Sequence, residues 1–304
     1  MPQGSTISYL RQSEIDRSLW DKCIEEADNG RVYAYSTYLD QMADQWDALV
    51  LNEYEAVMPL TWRKKWGIYY LYQPFLTAQL GLFGKTINAV LLQEFFRSIP
   101  SRYRLWEFPL NHGNCFDLPE FGVYQRTNYI LSLDKSYDTL QQHYRENIHR
   151  NIRKSVGYGC VQKKGVDVRE VINLTRQQND KIKEKDLENF ETVYRQMEKE
   201  GRGGTYGIFA KDGSLISSAA FLYSHKRAYY LLVGNHPNGR TLGASHALID
   251  FFIRDSANQE LSLDFEGSDI RNLAFFYSSF GAKEEKYTAV KLNKLPFYLK
   301  GLKK

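Results

Sequence analysis

The same succession of segments occurs twice in this chain, and that repetition limits its fold more than any other property. From Trp46 onward, apolar runs of about four to eight residues alternate with stretches of helical periodicity, the pattern of a mixed α/β protein. The first copy reads AVMPLTW, IYYLYQP, LGLFG, NAVLLQEFFRSI and RLWEFPL; the second reads ISSAAFLY, AYYLLVG, GRTLGAS, ALIDFFIRDS and LSLDFEGS. Each is an aliphatic strand, an aromatic strand, a glycine-bearing loop, an amphipathic helix and a short strand carrying a carboxylate. Tyr69-Tyr70 and Tyr229-Tyr230 fall in equivalent places, as do Phe95-Phe96 and Phe251-Phe252, and the two offsets agree to within a few residues. So long a period marks a duplicated α/β unit, not a stacked array of short repeats. The expected architecture is α/β (α+β), with two mixed-sheet domains packed together, residues 1–135 and 136–304, linked by a central helix.

That linking helix is predicted from Tyr137 to about Val156. Ser136 caps it, Leu140, Tyr144, Ile148 and Ile152 recur every fourth residue, and Gly157 stops it. Arg145, His149 and Arg153 form a parallel cationic row, next to Lys154. Between His143 and Lys164 there are six Lys or Arg against one acid, Glu146, so the net charge of +4 is concentrated here. The row has two readings: a grip on an anionic acceptor or an RNA backbone, or simply a solvated helix face. Further helices are expected near Arg169–Asn179 and Leu187–Glu200.

With 43% hydrophobic residues in 304, the chain has enough apolar material for two linked cores. Neither a signal-peptide run nor a membrane-length apolar stretch is present, which leads to the expectation of a soluble, cytoplasmic protein without a transmembrane segment. Cys23, Cys115 and Cys160 are far apart and read as ordinary thiols. No HExxH, Gly-x-Ser-x-Gly or Walker pattern occurs, so neither a metal nor a serine nucleophile is expected.

The most informative stretch is YYLLVGNHPNGRTLGASHALIDFF. A strand there enters a loop, Arg240-Thr241-Leu242-Gly243-Ala244-Ser245, at the start of a helix. Glycine admits close approach of the backbone, helix-start amides attract anions and Arg240 adds charge, which together make a plausible pyrophosphate cradle; the other reading is a tight connection. In the first copy the loop is Gln79-x-Gly81-x-x-Gly84-Lys85, without the arginine, so this copy reads as a degenerate donor site. Alternation along LSLDFEGS puts Leu261, Leu263 and Phe265 on one face, and Ser262, Asp264 and Glu266 on the other. Either carboxylate would serve as a general base, with Glu266 preferred; the other reading is a capping or salt-bridging role.

The Arg240 loop is followed by Asn272-x-Ala274-x-x-Tyr277-x-x-Phe280-Gly281-Ala282. This pairing resembles the GNAT acyltransferases, with Ser245 and Ala282 departing from the usual residues. With DFEGSD, YQPFLTAQLGLF and RENIHRNIRKS, the tandem arrangement resembles the FemABX-type and related tandem acyltransferases over about Tyr35 to Pro296. The resemblance implies two GNAT-like halves and acyl-CoA as co-substrate, held by 240–245 and Asn272. It also implies that Tyr277 protonates the leaving thiolate or holds the donor sulfur, beside the alternative that Tyr277 fills the core. The expected activity is N-acyl transfer from acyl-CoA to a small-molecule or peptide amine, the acceptor touching Arg145, His149 and Arg153. Two alternatives stay open: aminoacyl-tRNA-dependent transfer to a peptidoglycan precursor or lipid, and a non-catalytic ligand-binding module.

Overall fold

The structure is a computed structural model that describes residues 6–267 and 269–296. It divides into two compact units: residues 1–126 with 286–304, and residues 127–285. Unit 1 begins with β1 (Ile7–Leu10), α1 (Arg17–Glu26), α2 (Ser36–Met42), β2 (Trp46–Leu51), β3 (Ala56–Lys65), β4 (Ile68–Tyr72), β5 (Phe83–Gly84), α3 (Ala89–Ser98) and β6 (Tyr103–Pro109). The chain leaves it through β7 (Val123–Ser132). Unit 2 continues with α4 (Tyr137–Gln141), α5 (Glu146–Gly157), β8 (Val161–Lys164), α6 (Val168–Gln178), α7 (Glu184–Lys199), β9 (Gly203–Phe209) and β10 (Leu215–Ser224). It ends with β11 (Arg227–Asn235), α8 (Pro237–Thr241), α9 (Ala244–Ser256), β12 (Ser262–Asp264) and α10 (Arg271–Ser278), and β13 (Lys283–Asn293) returns to unit 1.

The repeat is realised as two parallel strand pairs joined by a helical crossover. In unit 1, β4 pairs with β6 in parallel and α3 lies between them in sequence; in unit 2, β11 pairs with β12 and α9 connects them. Strand order within unit 1 is β1-β2-β3-β4-β6-β13, and within unit 2 it is β7-β12-β11-β10-β9-β8. Both crossover helices turn apolar faces inward. Leu92, Phe95 and Phe96 of α3 join Leu49, Met58, Leu60 and Trp106 in one core, while Leu248, Phe252 and Ile253 of α9 join Phe221, Ile208 and Leu263 in the other. Phe221 and Phe252 stack at 4.0 Å between centroids, which fixes α9 on β10. On the opposite face α6 approaches so closely that a Cβ on Gly234 would lie 2.7 Å from the Thr175 amide nitrogen. Glycine in mid-strand here makes room for a helix backbone.

Three expectations are corrected. The expected division at 135/136 shifts, because residues 289–293 of β13 pair antiparallel with 105–109 of β6 and so join the first unit. The first crossing between units falls within β7, an extended strand, and not within a central helix. The helix predicted for 137–156 is broken into α4 and α5, since the Arg145 amide donates to the Ser279 carbonyl (2.9 Å), next to a close approach at which a Cβ on Gly281 would stand 2.9 Å from the His143 Cβ. That tertiary attachment outweighs the unbroken apolar periodicity. The helices near 169–179 and 187–200 appear as α6 and α7. No helix among the described residues is long and apolar enough to cross a membrane.

Candidate active site

In unit 2, β11 and β12 run together for three residue pairs only, Arg227 with Ser262, Ala228 with Leu263 and Tyr229 with Asp264. Beyond Tyr229, β11 continues to Asn235 while β12 has ended, so the strand has a free edge on that side. Its ladder with β10 passes from Leu232/Ala220 to Tyr230/Phe221, leaving Leu231 as a one-residue bulge. A cleft of about 750 Å³ opens beside this segment. Tyr230, Val233 and Asn235 form its floor, Ser245 and His246 of α9 one side, Leu273, Phe276 and Tyr277 of α10 another, and Gln177 and Gln178 of α6 close the end.

The closed end of the strand pair is held by charge. The Arg227 guanidinium lies 3.0 Å from Asp264 and grips both oxygens of Glu285 at 3.0 and 2.5 Å. Asn128 Nδ2 donates to Asp264 at 2.9 Å, and the Glu266 amide donates to the same carboxylate at 3.0 Å. Asp264 is thus fully engaged, and its carboxylate is 2% exposed. Alternation assigned it to the face opposite Leu263, but that face is covered too, which gives Asp264 the salt-bridging role. Glu266 follows at φ +67; it is half-buried, and it does not line the cleft, although its charge is felt at Tyr277.

Tyr277 is brought into the cleft wall, stacked on Phe265 at 4.5 Å. Burial, with the Glu266 carboxylate adding to it, pushes its phenol up to about 12. Tyr230 beside it is raised further, again mainly by burial. Both phenols therefore stay protonated at neutral pH.

The 240–245 loop takes an unexpected form. Arg240 and Thr241 belong to the short α8; the Arg240 side chain lies outside the described residues, Thr241 is exposed, and Leu242 packs at the edge of the core. Gly243 caps α9 at φ +70, and a Cβ there would stand 2.4 Å from the Asn151 carbonyl of α5; one on Gly239 would stand 2.4 Å from the Ile216 carbonyl. The Cα faces of both glycines are thus turned to protein backbone, and Ala244 is buried. Of the proposed cradle only Ser245 reaches the cleft. Asn272 is exposed on α10 and does not line it.

The cationic row is dispersed as well. Arg145 precedes α5 and lies 4.7 Å over the Phe275 ring, His149 packs against Tyr144, and Arg153 pairs with Glu146 at 2.6 Å. None of the three lines the cleft. Arg150, from the same helix, exerts its charge on His246. In unit 1 the corresponding loop is filled by asparagines: Asn114 Oδ1 accepts from the Leu82 amide at 2.8 Å, and a Cβ on Gly81 would collide with that oxygen. Lys85 pairs with Glu26.

His246 is one of the cleft residues that sequence reasoning missed. It stands edge-on to Phe276 at 4.9 Å, its Nδ1 is buried without a partner, and burial together with the Arg150 cation pushes its imidazole down to about 4. A lone histidine in an amphipathic helix carries no spacing signal, so only its place next to Ser245 at the helix start could have singled it out.

Solved structures with the same architecture include FemX (TM-score 0.67, 12% identity, 96% of this chain and 98% of that chain). L-PGS from Bacillus licheniformis matches at 0.56, with 13% identity over 94% and 95% of the two chains. A tandem GNAT protein from the clavulanic acid biosynthesis pathway matches at 0.54, with 11% identity over 96% and 99%. The fold is the tandem GNAT-like fold. No family model and no curated protein matches the sequence. In a GNAT-like half the cleft beside β11 occupies the place where a parallel strand pair splays, as expected for ligand sites at the carboxyl ends of strands.

Asp264→Ala is expected to cost about 3 kcal/mol in urea unfolding, because it leaves part of the Arg227 charge buried and uncompensated; Glu266→Gln should cost well under half of that. The acid limb of stability should depend on His246. Its folded value of about 4 lies below the ordinary 6.5, so the unfolded chain binds the extra proton between those values and stability falls as pH falls through that window. His246→Gln is expected to remove about 3 kcal/mol of that acid-induced loss, measured as unfolding free energy at several pH values.

Proposed function

We propose that unit 2 transfers an activated acyl group onto an amine, with the acyl-bearing arm of the donor lying along the free edge of β11. The observation that carries this reading is the divergence of β11 from β12 after Tyr229, which leaves unpaired strand edge beside a cleft walled by Tyr230, Tyr277 and His246. An extended amide-containing arm is the natural partner of such an edge. The amine attacks the acyl carbon, the C–N bond forms, and the oxyanion is met by a backbone donor freed at the Leu231 bulge. Collapse expels a thiolate or alkoxide, which takes the Tyr277 proton; the amine proton passes through water to Glu266 and from there back to the Tyr277 phenolate. A phenol held near 12 suits an alkoxide leaving group, which is a strong enough base to take its proton, better than a thiolate, which is a weaker base than the phenolate.

An acyl-CoA is one donor this scheme accommodates, its phosphates meeting the first-turn amides of α9 at Ser245 and His246. A second donor is favoured by a specific observation: the loop glycines 239 and 243 are pressed against backbone carbonyls, so little of a diphosphate cradle is left. An aminoacyl-tRNA, gripped by exposed cations of α5 such as Arg150 and Lys154, needs no such cradle. The asparagine-filled loop of unit 1 supports a degenerate donor site there. A role in extending a cell-wall peptide or modifying a lipid follows if RNA is the donor.

Turnover of acyl-CoA and of aminoacyl-tRNA against a panel of amines tests the reading. One donor class should be consumed with amide formation, and Tyr277→Phe should lower kcat by about 100-fold without loss of folded protein. If a donor raises the melting temperature but no amine is acylated, the chain is a binding module, and if neither donor binds or is turned over, the proposal fails outright.

A further inference from the structure

In unit 1 the β3–β4 hairpin projects beyond its neighbours. The β2 register ends at Trp46 opposite Thr61, and the β6 register begins at Tyr103 opposite Tyr69, so residues 63–68 have no strand beside the ribbon. This projecting segment reads Arg-Lys-Lys-Trp-Gly-Ile, and no acid occurs from Trp62 to Tyr72. At its tip Trp66 is 76% exposed, the highest value among the exposed large hydrophobic residues described. Lys65 lies 4.6 Å over the Trp66 ring and Lys64 4.9 Å over Tyr69, while Arg63 is paired with Asp44.

Folding does not account for this tryptophan. The two turn residues, Trp66 and Gly67, have φ of +50 and +80, and a bulky residue in the left-handed region costs roughly 1–2 kcal/mol where asparagine or glycine would cost less. In return, three quarters of the residue stays in solvent. An indole at the end of a protruding ribbon, flanked by exposed lysines, matches a bilayer interface, where indole sits at headgroup level and lysines meet anionic lipid.

We infer that the tip formed by Lys64, Lys65 and Trp66 docks unit 1 on a membrane surface carrying anionic lipid. A nucleic acid would be drawn by the same lysines, and an open cleft lined by Arg11, Arg17, Trp62 and Arg102 lies at the base of the ribbon; a single exposed indole at the tip of a tight turn, without the series of aromatic platforms on which successive bases stack, favours the bilayer. The site is separate from the unit 2 cleft, so its test does not depend on acyl transfer.

The experiment is co-sedimentation of the full chain with vesicles of phosphatidylcholine alone and of phosphatidylcholine with phosphatidylglycerol. Binding is expected only to the anionic vesicles, weakening with added salt, and accompanied by quenching of tryptophan emission by brominated lipid. Trp66→Ala should abolish the quenching and weaken binding roughly ten-fold, and Lys64→Glu with Lys65→Glu should do at least as much, each without change in melting temperature. Equal partition to both vesicles, or unchanged binding in both variants, would overturn the inference. So would variants that lose RNA binding while keeping vesicle binding.

Discussion

The Arg227 guanidinium lies between Asp264 and Glu285, with Asn128 bonded to both carboxylates, and this cluster sets where β11 and β12 part. An ion cluster so far from water contributes little net free energy when complete, but it is costly to leave half made. Its effect is therefore positional. β12 is a strand of three residues, too short to hold its register by ladder bonds alone. Clamped at Asp264, it stops where it does, and β11 runs on alone toward Asn235.

The cleft follows from that divergence. With one side of β11 unpaired, Tyr230, Val233 and Asn235 line the cleft together with Ser245 and His246 of the first turn of α9. Aromatic packing then shapes the walls: Tyr277 is stacked on Phe265 next to the clamp, and Phe276 is set against His246. The same burial that fixes these rings holds the two phenols protonated and the imidazole neutral. The cleft thus has donors and an uncharged acceptor around an apolar centre, an arrangement suited to a neutral reacting carbonyl.

Much of the fold was legible because it is written in local pattern. The doubled order of segments located both crossover helices, and periodicity placed α6 and α7 within a few residues. What escaped was decided by partners distant in sequence. The break before α5 depends on the Ser279 carbonyl, and the return of β13 to unit 1 depends on its pairing with β6. Asp264 was assigned to the correct face of β12, yet nothing nearby in sequence announces that Arg227 and Glu285 cover that face. Gly243 is needed at its position for the approach of the Asn151 carbonyl. Glycine signals close approach without naming what approaches. Tyr277 was singled out by resemblance and lies in the cleft wall; His246, with no spacing motif, enters only through geometry.

The central claim is that the free edge of β11 receives the donor. Amide hydrogen exchange of the whole chain, with and without a non-hydrolysable acyl-CoA or aminoacyl-tRNA analogue, tests it directly. Slowed exchange concentrated in Tyr230–Asn235 and the first turn of α9 is the expected result. Protection confined to unit 1 or to the exposed face of α5, with β11 unchanged at saturating analogue, would contradict it.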